Sequence, residues 1–346
     1  MKKDKSEKFF ESAVITDNWD QTFEDLRKKN IVPTSNLEAT NVSDSSINLG
    51  DAKITELEDN MVYNLDPIKG LDFIKSYNMA GYDESIQKIE TLSGSVYFTC
   101  HTRVGLNISN YSAACELTAN YFTRSKDLAD KSDVFIYVDA NEDEIGSSFK
   151  RKLDDERFNF LCQEKIVPNN SILIVDGPLI GRQLSSRTIR LTKQLQENSI
   201  LTVYVTKNSD SLQLVNHYCP NKYHSDLHWA SDNLKAGQRS RFLQYVDQNA
   251  GHSEVFCYLK SFNKVSPLRV SIETKQYHKF KDLFEEAMDM IYYLVIDHGE
   301  PKNPQVRLIA VAEYYAKDIM KIANPYGRVI NMGLVPSVNQ SRFGRA

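Results

Sequence analysis

Apolar and polar positions divide the chain into a polar beginning and a denser remainder. Within residues 1–60 a helical pattern over 19–29 gives way to PTSNLEATNVSDSSINLGD, whose Ser, Asn, Thr and Asp content reads as an exposed loop. This part is expected to be a peripheral arm, with the main domain over 61–346. MVYNLDP predicts a short strand, and residues 82–91 read as a helix. SVYFTCHTRVGLNI alternates Val96, Phe98 and Cys100 against Tyr97, Thr99 and His101, the period of a half-buried strand. A further strand over 134–138 leads to Asp139 and an acidic turn.

The pattern over 148–165 predicts a helix. At 100° per position, Phe149, Leu153 and Phe160 form one apolar stripe with Glu156 in its middle, while Asp154 and Asp155 point away. A carboxylate there is costly unless it is paired, protonated or bound to a cation, so a buried ion pair and a metal ligand both stay open. Next, SILIVDGPL predicts a fully buried strand over 171–176 that ends at Asp176, before Gly177 and Pro178 break the backbone. Such a strand end is where an α/β sheet opens its crevice, although Asp before Gly is also ordinary turn chemistry. The helix and strand are expected to bring Glu156 and Asp176 into one crevice.

A helix over 182–196 and a buried strand over 200–206 follow, ending at Lys207. Strand–helix–strand at this spacing implies a right-handed crossover with parallel strands, which puts Asp176 and Lys207 at the same sheet edge. His217, Cys219, His224 and His228 fall in an irregular segment. His224 and His228 are spaced to share a helical face, but they match no zinc signature and read as a polar surface loop. Residues 254–260 and 268–273 predict an antiparallel pair, and helices are expected over 279–296 and 306–323.

A chain of 346 residues is long enough for a substantial core. Its formal net charge of −4 announces no global field for nucleic acid, so any such contact needs a local basic patch. The five cysteines show no CxxC spacing, and neither a signal peptide nor a long apolar run is evident. A reduced, cytoplasmic protein without a membrane segment is expected. The absence of a P-loop or GxGxxG pattern argues against a phosphate-binding α/β enzyme.

The order of parts resembles the NurA family of nucleases: helix-borne Glu156, then ILIVDGPL, then a strand into Lys207 (VYVTKNSDS), then PLRVSIE and the late helix NPQVRLIAVAE. The resemblance implies an α/β fold with an RNase H-like mixed sheet flanked by helices. It also implies a Mn²⁺-dependent (or Mg²⁺-dependent) DNA nuclease, homodimeric and working with a HerA-like hexameric ATPase. Asp176 and Glu156 would then be catalytic metal ligands with Lys207 steadying phosphate, because clustered carboxylates hold the hard cations that phosphodiester hydrolysis uses. The family's acidic residue on the first strand has no evident counterpart; Asp66 and Asp139 are the candidates. For the late-helix ligands the nearest equivalents are Asn303 or Gln305, and Glu313. Arg103, Arg182, Arg187 and Lys207 are expected to line a DNA channel. The departures leave a second reading open, a degenerate subunit that binds DNA or caps the ATPase.

Overall fold

The computed structural model describes residues 46–49, 52–108, 112–130, 135–139, 145–180, 185–218, 222–247 and 251–337. They lie within one unit, Val42–Ala346; the helix expected over 19–29 lies outside the described residues. In chain order, β1 (Ser46–Leu49) and β2 (Ala52–Glu56) form a hairpin, followed by β3 (Val62–Asn64) and α1 (Pro67–Ile74). An antiparallel meander comes next: β4 (Asn78–Thr91), β5 (Gly94–Leu106) and β6 (Ala113–Thr123). Then come α2 (Lys126–Ala129), β7 (Phe135–Tyr137) and α3 (Ile145–Leu161). The crossover is β8 (Ser171–Asp176), α4 (Ser185–Glu197) and β9 (Leu201–Thr206). It leads through α5 (Gln213–Tyr218) and α6 (Asp226–Asn233) into β10 (Gln238–Ser240), β11 (Leu243–Asp247), β12 (His252–Lys260) and β13 (Leu268–Glu273). Last come α7 (Thr274–Lys279), α8 (Lys281–His298), α9 (Arg307–Ala323) and α10 (Pro325–Asn331).

The strands join in one mixed sheet, in the order β1-β2-β11-β12-β13-β9-β8-β4-β5-β6-β7 along its main path. Its centre is the unit β6-β5-β4-β8-β9, in which β4, β8 and β9 are parallel and β5 and β6 are antiparallel additions. This is the RNase H-like arrangement. The expected parallel neighbours β8 and β9 pair in the register Ile172↔Leu201. The antiparallel pair β12–β13 also forms as expected.

Two expectations change. Residues 82–91 are strand, not helix: they continue β4, which pairs with β5 from Met79↔Leu106 to Thr91↔Gly94 and with β8 on its other side. Pairing with β5 along this whole stretch, and with β8 up to Tyr82, overrides the helix preference of Gln87, Lys88 and Glu90. In addition, the polar beginning contributes to the sheet, since β2 pairs with β11 in the register Ile54↔Tyr245. β5 is buried along both faces rather than half-buried.

Alternation on the central strands loads both faces of the sheet. Ile172, Ile174, Val203 and Val205 pack with Ile291, Leu308, Ile309 and Ala312 of α8 and α9. Leu173, Val175 and Tyr204 pack with Phe160 of α3 and Leu191 and Leu195 of α4. Phe149 and Leu153 of α3 complete the predicted stripe against Tyr97 and Phe122, the Phe149 ring stacking on Tyr97 at 3.8 Å between centroids.

Gly81 in β4 sets how closely α9 approaches. A Cβ there would stand 2.5 Å from the Leu308 carbonyl carbon and 2.6 Å from its Cβ, so any side chain would drive the helix off the strand. Gly81→Ala is therefore expected to destabilise the fold by about 1–3 kcal/mol, the usual cost of overpacking. Urea denaturation against the parent protein measures it.

Candidate active site

The same alternation decides which polar side chains meet. Met79 and Gly81 face α8 and α9, and Asp83 follows them on that face; Ile174 places Asp176 there, and Val205 places Lys207. Parallel pairing of Tyr82 with Val175 sets Asp83 level with Asp176, and Asp176 is level with Val205 of β9. From α9, Glu313 reaches the same place. Lys207 Nζ lies 3.1 Å from Asp176 Oδ2 and 3.8 Å from Glu313 Oε2. Lys317 Nζ lies 2.5 Å from Glu313 Oε1, and Gln305 also hydrogen-bonds that carboxylate.

Charge in this cluster is unevenly balanced. Burial and the neighbouring Asp176 push the Asp83 carboxyl up to about 7, with Glu313 adding to the effect and Lys207 opposing it. Burial also raises Asp176, against the pull of Lys207. Glu313 is the exception: burial opposes its ionisation, but Lys317 and Lys207 outweigh it and hold the carboxyl low. Three carboxylates thus face a supply of positive charge that leaves Asp83 short. Among the described residues, no three His, Cys, Asp or Glu side chains converge on a common metal position as they stand. The hard oxygen donors and the proton-hungry Asp83 nevertheless suit a divalent cation in chemical character.

Glu156 is not part of this cluster, contrary to the expected shared crevice. It points to the other face of the sheet, where its carboxylate accepts hydrogen bonds from Asn120 Nδ2 at 2.8 Å and Thr118 Oγ1 at 2.9 Å. His101 Nε2 stands 3.6 Å from it. Burial alone would raise the Glu156 carboxyl, but His101, Asn120 and Thr118 together hold it below its ordinary value. On that face the Tyr82 hydroxyl donates to Glu84 Oε2 at 2.6 Å and lies 2.7 Å from His101 Nδ1. Arg157 grips Glu84 with two bonds, 2.5 and 3.1 Å. The residues before and after Asp83 are therefore both clamped from behind.

Asp66 and Asp139, the two candidates for the first-strand ligand, lie elsewhere. Asp66 caps α1, accepting from the Ile68 and Lys69 amides, and its own amide donates to Asp289. Asp139 follows β7, which ends the sheet on the far side of β6. On β4 it is Asp83 that stands level with Asp176 instead. A helical pattern over 82–91 hides Asp83 in the sequence; the Ser93–Gly94 turn signal leading into β5 is the feature there that points to a hairpin.

Of the expected channel cations, Arg103 is wholly buried in β5 and so lines no solvent channel. Arg187 bonds Asp155 at 2.7 Å and the Arg151 carbonyl, tying α4 to α3. Arg182 lies outside the described residues, and so does Cys219. The expected surface loop is partly helical: His228 lies in α6, and its Nδ1 accepts the His224 amide at 3.3 Å from just before the helix. No helix among the described residues is long and apolar enough to cross a membrane.

No protein-family model matches the sequence, and no curated protein matches it. Solved structures do match. The fold is that of nucleases with an RNase H-like core. One structure that matches over nearly the whole chain is the NurA nuclease from Sulfolobus solfataricus, at 12% identity and a TM-score of 0.51, covering 92% of this chain and 98% of that one. At that identity the likeness shows the fold. A NurA structure with manganese (8% identity, TM-score 0.40, 71% of this chain and 89% of that one) is more distant. So is endonuclease V from Ciona intestinalis with an inosine-containing DNA (10%, 0.38, 74% and 96%). Likeness at that level defines no residue correspondence.

Two outcomes follow from this geometry. Glu156→Gln weakens a buried, hydrogen-bonded carboxylate and is expected to destabilise by about 1–3 kcal/mol, equally with and without Mn²⁺; thermal melts in both conditions measure it. Asp83 gives a pH signature. Its folded pKa, about 7, lies above the unfolded value of 3.8, so the native state binds the extra proton between those limits. The stability this contributes is present below the unfolded pKa and is lost as pH rises through the folded one. The metal-free melting temperature should therefore carry a falling component from acid toward neutral pH, and Asp83→Asn should abolish that component.

Proposed function

We propose that the protein is a metal-dependent deoxyribonuclease whose active site is Asp83, Asp176 and Glu313 with Lys207. The observation that carries this reading is the alignment of Asp83 and Asp176 on adjacent parallel strands, on one face, with Glu313 descending on them from α9. Asp83 and Asp176 would hold Mn²⁺ or Mg²⁺, with Glu313 as a further oxygen donor. When bound, such an ion would polarise a phosphate and lower the pKa of an attacking water. Lys207, on its flexible stem, is free to turn from Asp176 to a non-bridging phosphate oxygen. Gln305 and Lys317 orient Glu313. The clamp behind β4 keeps the Asp83 backbone from shifting when the charge around it changes.

DNA ends processed together with a HerA-like hexameric ATPase, and a homodimer as the working unit, belong to this proposal through the resemblance to NurA. A second reading has one observation in its favour. Lys207 bridges Asp176 and Glu313, as an internal counter-ion would in a subunit that keeps the fold and lacks the metal.

Cleavage of end-labelled single- and double-stranded DNA in Mn²⁺, Mg²⁺ or EDTA separates the two. Asp83→Asn and Asp176→Asn are each expected to lower Mn²⁺-dependent cleavage at least about a thousandfold, roughly 4 kcal/mol of transition-state stabilisation. Without metal, both variants should melt no lower than the parent, since each relieves like-charge repulsion. A parent protein that cleaves nothing in either metal, and whose melting temperature ignores both, would establish the counter-ion reading.

A further inference from the structure

A cavity of about 370 Å³ opens beside this site, against β9, β12 and β13. Pro178 and Asn208 line it, two residues past Asp176 and one past Lys207. The carboxylate cluster and the cavity wall are thus joined by at most about 7 Å of backbone. Its floor is formed by Thr206, Arg269, Ser271 and Glu254. Thr206 pairs with Arg269 across β9 and β13, and it alternates with Val205, so this floor belongs to the face opposite the carboxylates. The two sites meet over the strand tops.

The cavity is built rather than incidental. Its roof, the loop into α5, is held by buried Asp226, which accepts from the Leu214 and Val215 amides at 3.0 Å each and from the Ser211 hydroxyl at 2.6 Å. Glu254 and Arg269 neutralise each other in the floor at 2.5 Å. Thr206 Oγ1 and Gln213 Oε1 are buried without a hydrogen-bond partner among the described residues, although Thr206 is only 7% exposed. Buried polar atoms left unpaired in a concave site are what a ligand would satisfy.

Resting on the nuclease reading, we infer that this cavity takes one base of the substrate strand, turned over the strand tops from a nucleotide next to the cleaved phosphate. The chemistry of the walls selects that group. With Asp210 added to the Glu254–Arg269 pair, the lining carries no surplus positive charge, so it offers nothing to a phosphate. Pro178, Ile180 and Leu212 supply apolar surface, while Thr206, Ser209, Gln213 and Asn208 supply hydrogen-bonding groups. A neutral, flat, polar-edged ring uses both. A duplex would have to release the base first, so the cavity favours single-stranded or frayed ends.

The test is binding, measured apart from turnover. Fluorescein-labelled single-stranded 12-mers, each with one abasic tetrahydrofuran residue walked along the sequence, are titrated by anisotropy with Ca²⁺ replacing Mn²⁺. One position should weaken binding about 5- to 10-fold, and the others little. Thr206→Val replaces an unpartnered buried hydroxyl by a methyl group, so the fold should keep its stability while the position effect shrinks. Asn208→Trp, at the exposed rim, should block the cavity and flatten the profile to the level of the abasic strand. Equal affinity at every position would overturn the inference, as would variants that weaken intact and abasic strands alike. Failure to bind any of the oligonucleotides would overturn the nuclease reading itself, a different result from binding without regard to the base.

Discussion

Parallel pairing of β4 with β8 is the constraint on which the molecule turns. The register Tyr82↔Val175 sets two carboxylates, Asp83 and Asp176, side by side at the top of a sheet covered on both faces. A slip of one residue would send Asp83 to the opposite face and Glu84 into its place. The register is held from both sides: Gly81 admits the backbone of α9 on one face, while Tyr82 and Glu84 are bonded to His101 and Arg157 on the other. Apolar residues of the same strands bury against α8, α9, α3 and α4, so packing and charge placement are consequences of one alternation.

That placement stores unfavourable electrostatics where the chemistry would occur. Asp83, Asp176 and Glu313 are grouped against two lysines, and burial, with the neighbouring Asp176 adding to it, raises the Asp83 carboxyl. The opposite face handles its buried charges differently. Glu84 has Arg157, and Glu156 has two hydrogen bonds and His101, so both carboxyls are held below their ordinary values. Glu84 and Glu156 are electrostatically settled where they lie, whereas Asp83 and Asp176 are raised and suit a cation. This contrast, rather than the mere presence of acidic residues, separates a structural network from a candidate active site.

Much was legible in the chain because it depends on short-range pattern. The buried strands 171–176 and 201–206, the crossover between them, the apolar stripe of α3 and the two late helices follow from periodicity alone. So does the position of Asp176 and Lys207 at one sheet edge, since parallel strands joined by a helix must end together. The order of these parts was enough to suggest the fold that the whole-chain likeness to NurA then showed.

What the chain by itself left undetermined was every choice resting on contacts between distant segments. Residues 82–91 have helix-forming side chains, and only pairing with β5 along their length makes them strand. Glu156 lies on an apolar stripe, and nothing within α3 says whether a metal or Asn120 and Thr118 will receive it; β6 supplies the answer. Glu313 sits at the border of its helix's apolar face, and the close approach at Gly81 brings it to Lys207. Local sequence determined the strands and helices because their periods are set by backbone geometry. Which carboxylates share a site was decided by strand register and face, and these exist only once the sheet has formed.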